Sequence, residues 1–388
     1  MTTNEMTTND TDEMTTNERK TMAGGMAPPA PEVMPAPFAR TSLPGRIVFG
    51  DGAVACLSDE LDQADLRQAM LITASRDAQL GEQGRKALSE RVRLHWDEVR
   101  QHVPRELAQR ATAAAEAAGA DVLVAVGGGS TIGLGKAVAV ATGLPLVVVP
   151  TTYAGSEMTP IYGLTSDNDK TTARDARALP RIVVYDPQLL TTLPSAVVGP
   201  SGLNALAHCA EALWVPNADP VTDAIALDGA LRLRQHLPGA YATDDPAARG
   251  EVLIAACLAG TALGTVGTSL HHALCHLLGG MFDAPHAETH AILLPYAVSY
   301  LQPAVPGAAR RLAQAMNTSE YALARNIWEL GRSVGTPAGL RSVGIREEQI
   351  PLLTQAALDR QLSSPRPLEY GPLRDALHAA WSGQPPLG

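Results

Sequence analysis

From Arg46 onward the apolar residues come in short unbroken blocks separated by stretches with helical spacing. The blocks at 69–73, 122–126, 146–149 and 182–185 are dominated by Val, Leu, Ile and Ala, the composition of strands buried on both faces. Between them, the alanine-rich stretch 105–118 and the stretch 132–141 read as helices. Such alternation predicts an α/β domain with a parallel, doubly wound sheet. After Pro194 the β-branched runs thin out, and 221–235, 251–263, 321–330 and 373–381 read as helices, so an all-α C-terminal domain follows. The expected division is a disordered tail at 1–38, an α/β dinucleotide-binding domain at 39–194 and a helical substrate domain at 195–388. The Pro-bearing segment 193–200 is the expected hinge, with a ligand cleft between the two domains.

The N-terminal tail repeats a polar unit, Met1-Thr2-Thr3-Asn4-Glu5, at Met6 and again at Met14, and then turns rich in Gly, Ala and Pro. Neither part can bury a core. A length of 388 residues and an apolar fraction of 45% suit two folded domains. The formal charge of −10, spread without long blocks, offers no footprint for nucleic acid or an anionic membrane. Cys56, Cys209, Cys257 and Cys275 have no CxxC spacing and read as reduced thiols of a cytoplasmic protein. No apolar run reads as a membrane span and no signal-peptide pattern opens the chain.

The first candidate site follows the strand at 122–126. Gly127, Gly128, Gly129, Ser130 and Thr131 open a helix, so peptide N–H groups approach a pyrophosphate where the helix dipole favours negative charge. This is not the GxGxxG fingerprint, and a tight turn without a ligand is its alternative reading. The next strand ends in a hydroxyl-rich run containing Thr151, Thr152, Tyr153 and Ser156, at the end of a sheet where such folds bind ligands. Lys136 and Lys170 fall near this region, either as ligand cations or as solvated surface lysines. After the first strand, the run to Ser75 and Arg76 lacks the acid that grips an adenosine 2′-hydroxyl, and Arg76 suits a 2′-phosphate; NADH or NADPH is therefore the expected cofactor.

The second candidate site is built of histidines. Asn204 and His208 are four residues apart, as are His272 and His276, so each pair shares a helix face. His286 follows a Gly-rich stretch, 279–284, that reads as a loop returning to the same place. Clustered imidazoles suit a metal or an acid–base site.

The blocks Gly127 to Ser130, Pro150 to Glu157, Gly202 to His208 and Leu270 to His290 resemble the iron-containing, group III alcohol dehydrogenase superfamily, over about 46–382. The resemblance implies its dehydroquinate synthase-like fold, with nicotinamide and metal at the interdomain cleft. It also implies that the family's metal ligands correspond to Asn204, His208, His272 and His286, with Asn204 standing where the metal enzymes have aspartate. Within the superfamily the chain is more similar to the maleylacetate reductases, through Thr151 to Met158, Asn204 to Cys209, Pro285 to His290, Arg174 to Arg181 and Pro365 to Pro367. Those enzymes reduce the C=C bond of maleylacetate to 3-oxoadipate in the bacterial breakdown of aromatic compounds.

An amide at position 204 fits that reaction. Reducing a C=C bond conjugated to a ketone places charge on an enolate, which hydrogen-bond donors can stabilise, whereas an isolated ketone benefits from a Lewis acid. Asn204 also weakens metal binding and relieves repulsion of a dicarboxylate substrate. The expected assignment is therefore His272, His286 and His208 as catalytic residues. Asn204, His276, Tyr153, His271, His290, Lys170 and Arg174 (with Arg177) are expected around the substrate, with no metal. The expected partners are a small dicarboxylate and, by resemblance, a second copy in a homodimer. The readings left open are a metal-dependent alcohol or polyol dehydrogenase and a catalytically silent nucleotide-binding regulator.

Overall fold

Six parallel strands form the scaffold: β1 (Arg46–Phe49), β2 (Ala69–Ile72), β3 (Val92–Trp96), β4 (Val122–Gly127), β5 (Leu146–Pro150) and β8 (Ile182–Tyr185), in the spatial order β1-β8-β5-β4-β2-β3. A separate antiparallel hairpin pairs β6 (Ile161–Ser166) with β7 (Asp169–Arg174). The computed structural model describes Arg40 and residues 45–166, 169–242 and 245–386, and Ala39–Gly388 forms one unit. The tail expected at 1–38 lies outside the described residues.

The unbroken apolar strands are buried on both faces because side chains alternate across a sheet. Val122, Val124 and Val126 of β4 join one core cluster, and Leu123 and Ala125 join the other; Val147 and Val149 of β5 divide from Leu146 and Val148 in the same way. The second cluster is closed by α3 (Arg105–Ala117) and α4 (Gly129–Thr142). The first takes in α1 (Leu57–Gln63) and α2 (Ala78–Leu88), and runs without a break into the helical half.

That half contains α5 (Ser195–Ala212), α6 (Pro220–Ala242), α7 (Pro246–Val266), α8 (Leu270–Phe282), α9 (His286–Leu301), α10 (Pro306–Ala315), α11 (Leu323–Ser333), α12 (Gln349–Asp359) and α13 (Tyr370–Ser382). α5 is its axis: every residue from Val198 to Ala212 is buried, against α6, α7 and α9. A helix apolar all round belongs at a centre.

Three expectations need correction. The supposed hinge at 193–200 is mostly the first turns of α5, which absorbs Pro200 within the helix. The glycines at 279 and 280 lie inside α8 rather than in a loop, since packing of Leu274, Leu277 and Leu278 outweighs the weak helix propensity of glycine. α7 is long and apolar enough to cross a membrane by composition, with mean hydropathy 1.3, yet 67% of that stretch is buried inside the protein, which makes it a core helix. β1, β3 and the hairpin escaped the apolar pattern because none presents a fully buried run.

The topology sets the ligand crevice. From β2 the chain continues outward to β3, whereas from β4 it turns the other way to β5, so the switch point lies beyond the carboxyl ends of β2 and β4. The loop after β5 then packs backbone to backbone on α7. Gly155 has φ +74°, and a Cβ on Gly260 would lie 2.0 Å from the Gly155 carbonyl oxygen. Gly260→Ala is expected to cost about 1–3 kcal/mol through overpacking, read by urea unfolding. Gly280→Ala, where a Cβ meets nothing within 4 Å, serves as the contrast and is expected to gain about 0.5–1 kcal/mol.

Candidate active site

At the end of β4 the chain makes a turn that only glycine tolerates. Gly127 has φ +155° and a Cβ there would lie 2.6 Å from Thr131 Oγ1; a Cβ on Gly128 would lie 2.9 Å from Thr152 Cγ2. At Gly129, the first residue of α4, a Cβ would meet nothing within 4 Å. The first N–H groups of α4 have no intrahelical partner and Gly129 and Ser130 border the cavity, the arrangement that takes a phosphate. Gly129, Ser130, Thr152 and Ser156 line a cavity of about 440 Å³, within the range of ligand pockets. Gly127, Gly128, Thr131 and Thr151 lie beneath that wall and shape it. Ser75 and Arg76 form a short turn after β2, on the other side of the switch point. Asp77, the next residue, holds its Oδ2 3.9 Å from Arg76 Nε.

The opposite wall comes from three helices. Asn204 and His208 project from α5, His272 and His276 from α8, and His286, Ala287 and Glu288 from the first turn of α9; all line the same cavity. Asn204 Nδ2 donates to the Ala154 carbonyl oxygen at 3.4 Å, which turns Oδ1 inward without a partner. His271 and His290 are fully buried behind His272, and the His290 ring centroid lies 4.5 Å from that of His272 and 4.3 Å from that of His286.

Sequence reading passed over the residue that organises this wall. Glu211 lies seven residues beyond Asn204, on the same face of α5, and is fully buried. Its Oε1 accepts the His271 peptide N–H at 2.8 Å, and its Oε2 takes a short hydrogen bond from His272 Nδ1. The spacing Asn204, His208, Glu211 (i, i+4, i+7) was the signal that could have found it. Burial raises the Glu211 carboxyl above the ordinary range, opposed by the histidines and peptide N–H groups around it. Burial, with neighbouring imidazoles adding to it, lowers His272 to about 3 and takes His208 and His290 well below the usual histidine value. His271 falls to about 4 for the same leading reason. These four rings are neutral at pH 7, so an imidazolium at His208 or His272 is disfavoured.

Several expected residues fall elsewhere. Tyr153 does not line the cavity; its large apolar ring is wholly buried in the core, where burial raises the phenol. Arg174 donates to the Gly264 carbonyl oxygen at the end of α7, and Arg177 pairs with Asp175, so neither guanidinium lines the cavity. The Lys170 side chain lies outside the described residues. Lys136 is no surface lysine: it is 1% exposed, and Nζ donates to the carbonyl oxygens of Thr159 and Ile161 at 2.8 and 2.9 Å and to Thr159 Oγ1 at 3.0 Å. Burial lowers it to about 7 and raises neighbouring Glu157 to about 7. Its role is to hold the loop that carries Ser156.

Removing the Glu211 carboxylate would leave the His271 N–H and the His272 ring buried without an acceptor. Glu211→Ala is therefore expected to cost at least about 3 kcal/mol, measured by denaturant unfolding.

Comparison with known proteins agrees with this architecture. The model of the iron-containing alcohol dehydrogenase matches residues 44–187, and that of the Fe-containing alcohol dehydrogenase family, C-terminal, matches residues 199–379. A maleylacetate reductase of Pseudomonas knackmussii is 41% identical over 342 residues, covering 88% of this chain and 97% of that protein. Among solved structures, a maleylacetate reductase from Agrobacterium tumefaciens has a TM-score of 0.86 at 38% identity, covering 90% of this chain and all of that one (100%). A putative alcohol dehydrogenase from Ralstonia eutropha has a TM-score of 0.87 at 42% identity, covering 90% and 99%. The chain is an oxidoreductase and belongs to the iron-containing alcohol dehydrogenase family.

Proposed function

We propose that this enzyme reduces the carbon–carbon double bond of maleylacetate to 3-oxoadipate with NADH or NADPH, and that its chemistry needs no metal ion. The relatives at about 40% identity that carry the name maleylacetate reductase support the reaction. The observation that carries the metal-free reading is the set of Asn204 contacts. One amide N–H of Asn204 donates to the Ala154 carbonyl oxygen at 3.4 Å, so position 204 presents a neutral amide whose Oδ1 is left without a partner.

The family's metal positions fit an ion poorly. Asn204 Oδ1, His208 Nδ1 and His272 Nε2 are unpartnered ligand atoms, but Asn204 supplies a neutral amide where the metal enzymes have a carboxylate, so an ion there would be held more weakly than in those enzymes. Among the described residues, the three histidines whose ligand atoms lie within 4.8 Å of one another are His271, His272 and His290, of which only His272 is a family position. A dinucleotide fits better. The glycine turn would hold its pyrophosphate at the α4 N-terminus, and the switch-point turn at Ser75 and Arg76 would receive its adenosine end. When bound, the reduced nicotinamide supplies the hydride.

The chain's own residues then bind and protonate the substrate. The first turn of α9, with His286, Ala287 and Glu288 on the cavity wall, offers peptide N–H groups to one substrate carboxylate in place of the arginines expected from sequence, their attraction set against repulsion from the Glu288 carboxylate on the same turn. Asn204 leaves room for that charge, where an aspartate would repel it. Hydride addition to the carbon β to the ketone leaves an enolate. Of the lining histidines, His286 and His276 are the more exposed and are the better candidates to deliver a proton to the α carbon, with His272 and His208 as neutral wall. The four cysteines are unpaired, which accords with a reducing cytoplasmic setting, and a homodimer is the assembly we expect.

The decisive assay is NADH and NADPH oxidation with maleylacetate beside simple ketones and aldehydes, before and after prolonged chelation. Preference for maleylacetate with unchanged turnover after chelation is expected; loss restored by iron or zinc would favour a metal-dependent alcohol dehydrogenase. Asn204→Asp should raise bound iron per chain, by elemental analysis, and lower kcat/KM for maleylacetate by about tenfold or more. Arg76→Ala should lower kcat/KM for NADPH by about tenfold while NADH changes less.

A further inference from the structure

The histidine cluster behind the catalytic wall has a property the proposed reaction does not use. His272 gives its Nδ1–H to Glu211, which leaves the Nε2 lone pair directed away from the carboxylate and without a partner. His271 gives its Nε2–H to the His290 carbonyl oxygen at 3.0 Å, which leaves the Nδ1 lone pair unpartnered. Both ring nitrogens of His290 are fully buried and unpartnered too. An unpaired buried polar atom is costly, so the cluster is short of a partner.

We propose that His271, His272 and His290 form a binding site for one divalent transition-metal ion of the zinc class, and that its occupation inhibits the enzyme. The ligand atoms of these three side chains lie within 4.8 Å of one another, close enough to gather round one ion with small ring movements. Three imidazoles are a recurring zinc ligand set. Two of the rings already donate their remote N–H to an oxygen, one from a carboxylate and one from a carbonyl, which is how metal-bound histidines are oriented. Glu211 also supplies the single negative charge that a buried dication needs nearby. The site differs from the family's metal positions, sharing only His272. Inhibition follows because His272 lines the catalytic cavity and an ion on Nε2 alters that wall; this half rests on the function proposed above, whereas binding does not.

The test uses the full chain stripped of metal and titrated with Zn²⁺ by calorimetry, and with Co²⁺ by visible absorption, with turnover followed in parallel. The expected result is one tight ion per chain and activity falling as the site fills. His290→Asn and His271→Asn should each weaken binding by more than about tenfold, while His286→Asn and His208→Asn should not. Anomalous diffraction from zinc-loaded wild-type crystals locates the ion even if a variant does not fold. No bound ion, or an ion at Asn204, His208 and His286, would overturn the site. An ion found among His271, His272 and His290 with turnover unchanged would overturn the inhibition. Zinc bound there by a chain that does not reduce maleylacetate would uphold the site while refuting the proposed function.

Discussion

The active-site wall depends on one buried carboxylate. Glu211 ties α5 to the start of α8 by accepting a peptide N–H and an imidazole N–H at once, in a place with no access to water. A buried carboxylate is costly unless its oxygens are paired, and buried imidazoles are costly unless their N–H groups are. Each group solves the problem of the other. Because α5 is buried on every side, it cannot turn to relieve a lost contact, so the orientation of His272 is transmitted rigidly from the core.

The cofactor side rests on backbone geometry. The turn at Gly127 and Gly128 has no room for side chains, and the approach of Gly155 to Gly260 joins the loop after β5 to the helical half without intervening atoms. Lys136 fills the remaining space with its ammonium among carbonyl oxygens, so a cation that looked available to ligands serves the loop instead. The cavity consequently meets two helix N-termini, those of α4 and α9. Among the described lining residues the charged side chains are Lys136 and Glu288, with no arginine on the wall.

Asn204 shows how a single atom exchange changes what such a cavity can hold. With an amide, position 204 is neutral and bonded to the Ala154 carbonyl oxygen; a carboxylate there would face that oxygen and require a cation between them.

Much of this was legible in the sequence. Unbroken apolar blocks marked β2, β4, β5 and β8, because strands buried on both faces leave that trace, and helical spacing paired Asn204 with His208 and His272 with His276. The glycine run announced a backbone-only turn, since no other residue fits one. Edge strands, the true extent of α8 and the fate of Pro200 were not legible, because tertiary packing overrides local propensity there. Nor could the sequence say that Tyr153 and Arg174 turn away from the cavity, that Lys136 spends its ammonium on the loop carbonyls, or that Glu211 is buried against His272. Sequence spacing decides which residues share a helix face; only the packing of α5, α8 and α9 decides which faces meet, which groups lose their water, and therefore which of them must find each other.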